Sequence, residues 1–360
     1  MHNEIKEWLK AIIHPELKQN IVDAGIVSEI EIKNDQVSIV LLYKKPVDPF
    51  ANTIKRNVEE LLKLKLTNTK QITVVNQFPE IKVKKYSGLS GVKNIVAIAS
   101  GKGGVGKSTV TANLAVALAT NGYKVGLLDG DVYGPSMPKM FGLENDKPEV
   151  SVVDGVELIK PLEKYGVKVL SIGFFVDPNQ ALIWRGAMAT NALKQLIEQT
   201  EWGELDILLI DMPPGTGDIH LTLVQTVAVT GVAIVTTPQD VAIADVIKGI
   251  SMFRNPSINV PVLGIIENMS WFTPAELPNN KYYIFGKGGG ERMAKQFNVP
   301  LLGQIPLVQS ICESGDHGKP VVNAHSPEGE AFRLLCDNLL KSLEERNKQE
   351  PTKKVEIKYK

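Results

Sequence analysis

Apolar and polar positions divide the chain into two stretches with different rhythms. Over residues 1–76 the pattern is mixed. Residues 1–13 have the spacing of a short helix, and residues 26–32 alternate, with Ile26, Ile30 and Ile32 on one face and Glu29 and Glu31 on the other. Asn34-Asp35 marks a turn, and residues 37–43 predict a second strand. Phe50, Ile54, Val58 and Leu61 then recur at helical spacing through Lys65, and residues 71–75 predict a third strand. This order predicts a small α+β unit in which helices pack on a sheet. From Asn94 the rhythm changes. Short, almost wholly apolar runs stand at 95–99, 124–128, 167–172, 207–210, 232–236, 262–267 and 301–304, with helical patterns between them that include 107–120, 185–200 and 240–253. Strands apolar on both faces belong in buried parallel sheets. The alternation predicts an α/β domain, a doubly wound and mostly parallel sheet covered by helices on both sides. The polar, glycine-bearing residues 77–93 read as a linker, 94–344 as the large domain and 345–360 as a charged, solvated tail.

Composition narrows the function. At 360 residues and 43% hydrophobic, the chain can bury two cores. Lys plus Arg and Asp plus Glu both number 40, so no excess of positive charge points to nucleic acid or an anionic membrane. No run approaches the roughly 20 apolar residues of a membrane span, and the charged first ten residues do not read as a secretory leader. Two cysteines, Cys312 and Cys336, exclude a disulfide framework. The expectation is a cytoplasmic protein that binds neither nucleic acid nor membrane.

The chemistry concentrates where the large domain begins. Gly101-Lys102-Gly103-Gly104-Val105-Gly106-Lys107-Ser108-Thr109 follows an apolar run and opens a helical pattern, the context a phosphate-binding loop requires. Glycines let successive backbone N–H groups turn toward phosphate oxygens, and the helix N-terminus adds partial positive charge. Lys107 can reach the β- and γ-phosphates, and Ser108 can ligate Mg²⁺. Aspartates stand at the ends of two apolar runs: Asp129 and Asp131 in one case, Asp211 in the other. Carboxyl ends of parallel strands are where ligands sit in such sheets. Asp211 is a candidate Mg²⁺ holder, while Asp129 is either a neighbour in that network or a helix N-cap. Asn268 offers a donor and an acceptor to an adenine edge.

The second lysine, Lys102, makes the loop resemble the deviant-Walker branch of P-loop ATPases. The resemblance implies a nucleotide-sandwich homodimer in which Lys102 crosses to the partner's nucleotide, Asp131 in switch I orients the attacking water, and the Gly215 N–H in switch II senses the γ-phosphate. Four segments narrow this further: 128–136 (LDGDVYGPS), 211–218 (DMPPGTGD), 237–242 (TPQDVA) and 267–270 (ENMS). Together they resemble the Mrp/ApbC group, and residues 1–76 resemble the small domain fused to many of its members. By that resemblance Pro306, in Gly303-Gln304-Ile305-Pro306, packs against the base, and the protein is an ATP-hydrolysing carrier that passes an iron–sulfur cluster to apo-protein clients.

The chain departs from the group at one point. The usual Cys-x-x-Cys after the ENMS segment is missing, and residues 271–278 read WFTPAELP. Cluster ligation needs thiolates, usually four. A dimer can draw them only from two copies each of Cys312 and Cys336. Cys336 sits at helical spacing among Phe332, Leu335 and Leu339, as a core cysteine does. Cys312, with His317 nearby, is the remaining candidate ligand. The alternative is a metal-free, nucleotide-switched scaffold or positioning ATPase of the same branch.

Overall fold

The computed structural model describes the chain apart from residues 34–35, 46–47, 67–70, 80–87, 154–155, 177–185, 275, 278, 324–325, 353 and 355–360. The Asn34-Asp35 turn, residues 80–87 of the linker, Arg185 and the last tail residues therefore lie outside the described residues. The chain divides into two units, Met1–Lys85 and Tyr86–Lys360, each with its own apolar core.

In the smaller unit, α1 (His2–Leu9) buries Ile5 and Leu9. A two-residue antiparallel pair, β1 (Ile13–His14) and β2 (Gln19–Asn20), follows. Strand β3 (Val27–Lys33) runs antiparallel to β4 (Gln36–Leu42). Helix α2 (Ala51–Lys65) then leads to β5 (Gln71–Gln77), which lies parallel to β4. The period-two pattern explains the sheet's buried face: Val37, Ile39 and Leu41 alternate inward on β4, beneath Ile54, Val58 and Leu62 of α2.

The larger unit opens with β6 (Val92–Ser100), α3 (Lys107–Thr120) and β7 (Val125–Asp129). Next come α4 (Met137–Met140), strands β8 (Glu149–Val153), β9 (Val156–Lys160), β10 (Leu162–Lys164) and β11 (Val167–Ser171), and α5 (Gly186–Glu198). The chain continues through β12 (Leu205–Asp211), α6 (Asp218–Thr226), β13 (Gly231–Thr236), α7 (Asp240–Phe253), β14 (Val262–Glu267), α8 (Gly289–Phe297), β15 (Leu301–Gln304), α9 (Gln309–Asp316) and α10 (Pro327–Asn347). The main sheet has the order β10-β11-β7-β12-β6-β13-β14-β15. Every neighbouring pair is parallel except β10 with β11. This is the expected doubly wound sheet. Every residue of β7 and β13 is buried, which explains why these strands are apolar on both faces.

Strand β12 lies between β6 and β7, with Asp211 in register with Ile98 on one side and Asp129 on the other. The strand order therefore brings the loop after β6 and the carboxylates ending β7 and β12 to one edge, where ligands bind in open parallel sheets. The β8–β9 hairpin and β10 were not anticipated. The Val150 and Val152 side chains of β8 are exposed, so its alternation is not that of a core strand.

The expected solvated tail is corrected in its first part. Leu339, Leu343 and Arg346 follow one another at helical spacing, so the buried stripe of α10 continues past residue 344. The Arg346 guanidinium is buried; its Nε donates to the Thr230 carbonyl at 3.2 Å and its Nη2 to Thr352 Oγ1 at 2.7 Å. No helix among the described residues is long and apolar enough to cross a membrane. Removing the guanidinium strands the Thr230 carbonyl. Arg346→Ala should therefore lower unfolding free energy by about 1–3 kcal/mol, read from the urea midpoint. A solvated arginine would leave it within about 0.5 kcal/mol.

Candidate functional site

The loop between β6 and α3 takes its shape from glycine. Gly106 precedes α3 at φ 77°, and a Cβ there would lie 2.3 Å from Asn268 Nδ2. At Gly101 a Cβ would meet the Asp245 backbone of α7 at 2.4 Å. Any side chain at either position must displace neighbouring atoms. Lys107, the first residue of α3, is almost wholly buried, and its Nζ pairs with Asp211 Oδ2 at 2.8 Å. Ser108 Oγ donates to the same oxygen at 2.6 Å, and Thr111 Oγ1 lies 2.8 Å from Oδ1. The strand register thus joins the loop lysine, the next hydroxyl and the Asp211 carboxylate in one buried cluster.

The two aspartates after β7 have separate roles. Asp129 is fully buried, and its Oδ2 accepts from the Ser136 and Met137 N–H groups at 3.1 Å each and from Ser171 Oγ at 2.9 Å. It caps the start of α4 and closes the loop after β7. Burial and then the neighbouring Asp211 push its carboxyl well above the usual range, against the pull of these donors and of Lys107. Asp131 projects into a cavity of about 440 Å³. Burial also raises its carboxyl, and Lys107 partly offsets that shift. The Lys102 ammonium has no hydrogen-bond or ion-pair partner among the described residues, while its carbonyl accepts from Ser100 Oγ.

Gly103 and Gly104 complete the loop beside Val105, whose carbonyl accepts from Asn268 Nδ2 at 2.8 Å. Asn268 is thereby tied to the loop through the donor assigned to an adenine edge. The Gly215 N–H, assigned to phosphate sensing, donates to the Ser100 carbonyl at 3.0 Å. A second groove, of about 470 Å³, brings Gly106, Thr109, Asn268 and Pro306 together. Cys312 lines the same groove, with its Sγ 3.9 Å from Asp316 Oδ2. The His317 ring bonds the Glu313 carbonyl instead of facing a metal. Cys336 is in the core, where burial pushes its thiol up to about 12. Among the described residues no group of three or more His, Cys, Asp or Glu side chains is placed to hold a metal.

Sequence reasoning missed three site residues. Thr111 stands four residues after Lys107, one helical turn along the same face, so spacing alone could have found it. Ser171 and His220 carried no local signal; Ser171 reaches Asp129 only because β11 pairs with β7.

Comparisons with known proteins agree with this geometry. A family model described as NUBPL iron-transfer P-loop NTPase matches residues 91–340, and one described as iron-sulfur cluster assembly protein matches residues 2–74. The chain is 43% identical to an iron-sulfur cluster carrier protein of Synechocystis sp. over 91% of this chain and 92% of that protein. It is 42% identical to one of Escherichia coli over 92% and 89%. Among solved structures it resembles a nucleotide-binding protein in complex with ADP from Archaeoglobus fulgidus, at TM-score 0.57 and 38% identity over 68% of this chain and 93% of that one. A Pyrococcus furiosus cell division ATPase MinD is similar at TM-score 0.50 and 26% identity, over 69% and 98%. The motifs, the sheet order and these matches converge: the chain belongs to the iron-transfer P-loop NTPase family.

Proposed function

We propose that this chain binds and hydrolyses Mg·ATP as a homodimer and acts in the cytoplasm as an iron–sulfur cluster carrier for apo-protein clients. The observation that carries the proposal is the buried Lys107–Asp211–Ser108 cluster beneath the glycine loop. Residues 101–109 cradle the phosphates through backbone N–H groups, and Lys107 takes the β- and γ-oxygens. Ser108 Oγ and the Asp211 carboxylate form an all-oxygen donor set that fits Mg²⁺. The ion supplies neutralisation of phosphate charge. Asp131 orients the attacking water from its half-buried position, and Gly215 exchanges the Ser100 carbonyl for a phosphate oxygen. The base lies in the groove of Asn268 and Pro306. Lys102, without a partner among the described residues, reaches the nucleotide of the second subunit. Residues 1–76 form the client-binding module, 77–93 the linker and 94–344 the core of the ATPase domain.

The thiols favour a second reading for the cargo, a metal-free scaffold switched by nucleotide. A dimer offers two exposed Cys312 thiols, each beside its own base groove, and two core Cys336 thiols. Four cluster thiolates are not available from that set without opening the core.

Three outcomes test the proposal. Lys107→Ala should weaken ATP affinity by roughly ten- to a hundred-fold, the value of a charged hydrogen bond, in a calorimetric titration. Lys102→Ala should keep nucleotide affinity but lose about 10³-fold in hydrolysis, together with ATP-dependent dimerisation measured by light scattering. Anaerobic reconstitution should give a cluster shared by the dimer, and less than one cluster per dimer would favour the metal-free scaffold. A stoichiometric cluster that vanishes in the Cys312→Ala, Cys336→Ala double variant would support the carrier reading with relocated ligands.

A further inference from the structure

The imidazole of His220 has no part in the scheme above, yet it occupies a costly position. It lies in the first turn of α6, directly after the switch II loop, and is 1% exposed. Among the described residues neither Nδ1 nor Nε2 makes a hydrogen bond of good geometry, and the Gly217 and Pro213 carbonyls stand only near enough to act on the ring at longer range. Its ring leans on Phe253 of α7 at 6.4 Å between centroids. Burial, with a smaller push from the Lys107 ammonium, takes it down to about 4, while the Gly217 and Pro213 carbonyls act only partly the other way. The ring is therefore neutral at pH 7 and offers one donor and one acceptor.

An imidazole buried without a well-formed hydrogen bond is costly, and packing against Phe253 could be done by leucine without that cost. Such a group calls for an explanation in the space it faces. His220 lines the 440 Å³ cavity shared with Asp131, Gly134, Thr190, Pro213 and Pro214. This space joins the loop after β7 to the loop after β12 and has room for several waters at about 30 Å³ each. One of its walls carries the carboxylate to which water orientation was assigned above.

We propose that His220 is a positioning residue for ATP hydrolysis, its two ring nitrogens anchoring the waters of this cavity so that they hold Asp131 in its working orientation. One nitrogen donates to the water network and the other accepts from it. A neutral ring does both, and an apolar side chain does neither. The inference rests on the hydrolytic reading of Asp131.

The test is steady-state ATPase kinetics of the full chain with His220→Leu, His220→Met and His220→Gln, beside the affinity for a non-hydrolysable ATP analogue and the thermal midpoint. His220→Leu should lower kcat by roughly ten-fold, within the range of acid–base positioning effects, with analogue affinity unchanged within about two-fold. His220→Gln, which keeps a donor and an acceptor, should recover most of the rate. In an Asp131→Asn background His220→Leu should have no further effect. His220→Met repeats the apolar test if leucine does not pack. An apolar variant with wild-type kcat overturns the assignment, and so does a parallel fall of kcat, affinity and midpoint that glutamine does not rescue. A wild-type chain without ATPase activity would instead overturn the hydrolytic reading itself.

Discussion

A buried ion pair at the edge of a parallel sheet organises the site. Lys107 and Asp211 are both removed from water and lie 2.8 Å apart. Desolvating two charges costs several kcal/mol, and the cost is offset only where geometry and further hydrogen bonds are good. Here Ser108 and Thr111 supply those bonds to the two Asp211 oxygens. The pair requires α3 to start where it does, and β12 to sit between β6 and β7. The glycines are a consequence of the same arrangement: only a residue without Cβ lets the loop pass Asn268 and α7 closely enough for the lysine to point inward.

The same edge separates two cavities with different chemistry. One, beside Asp131 and His220, is walled by the loops after β7 and β12. The other, beside Asn268 and Pro306, is reached from α9 and the loop after β15. In the proposed function the phosphates lie between them and the base in the second. This division explains why Cys312 and the phosphate residues lie far apart in sequence yet share one end of the sheet. It also sets the thiol problem in physical terms. Among the described residues, a cysteine that lines this groove and one that fills the core do not converge on a metal within one chain.

Much was legible in the sequence. Runs apolar on both faces marked the parallel strands, and the loop pattern marked the turn that the structure places between a strand and a helix. Both signals are local: burial on two faces forces unbroken apolar composition, and a tight phosphate turn forces glycine. Asp211 was visible because it ends such a run. Thr111 was within reach through helical spacing, since Lys107 and Thr111 lie one turn apart.

Other features were decided by tertiary structure because they arise from contacts between segments distant in sequence. Asp129 reads as a catalytic neighbour or a cap until Ser136, Met137 and Ser171 are seen to donate to it. Arg346 reads as tail until α10 carries it under the Thr230 carbonyl. His220 carries no motif meaning; its significance lies in burial without a well-formed hydrogen bond among the described residues, a property of the surroundings and not of the residue. By itself the sequence determined the fold class and the glycine loop on which the phosphate proposal rests, because period and glycine spacing act within a few residues. Only the folded chain decided which polar groups lose water, and desolvation by distant neighbours distinguishes a cap, a clamp and a positioning group among identical residue types.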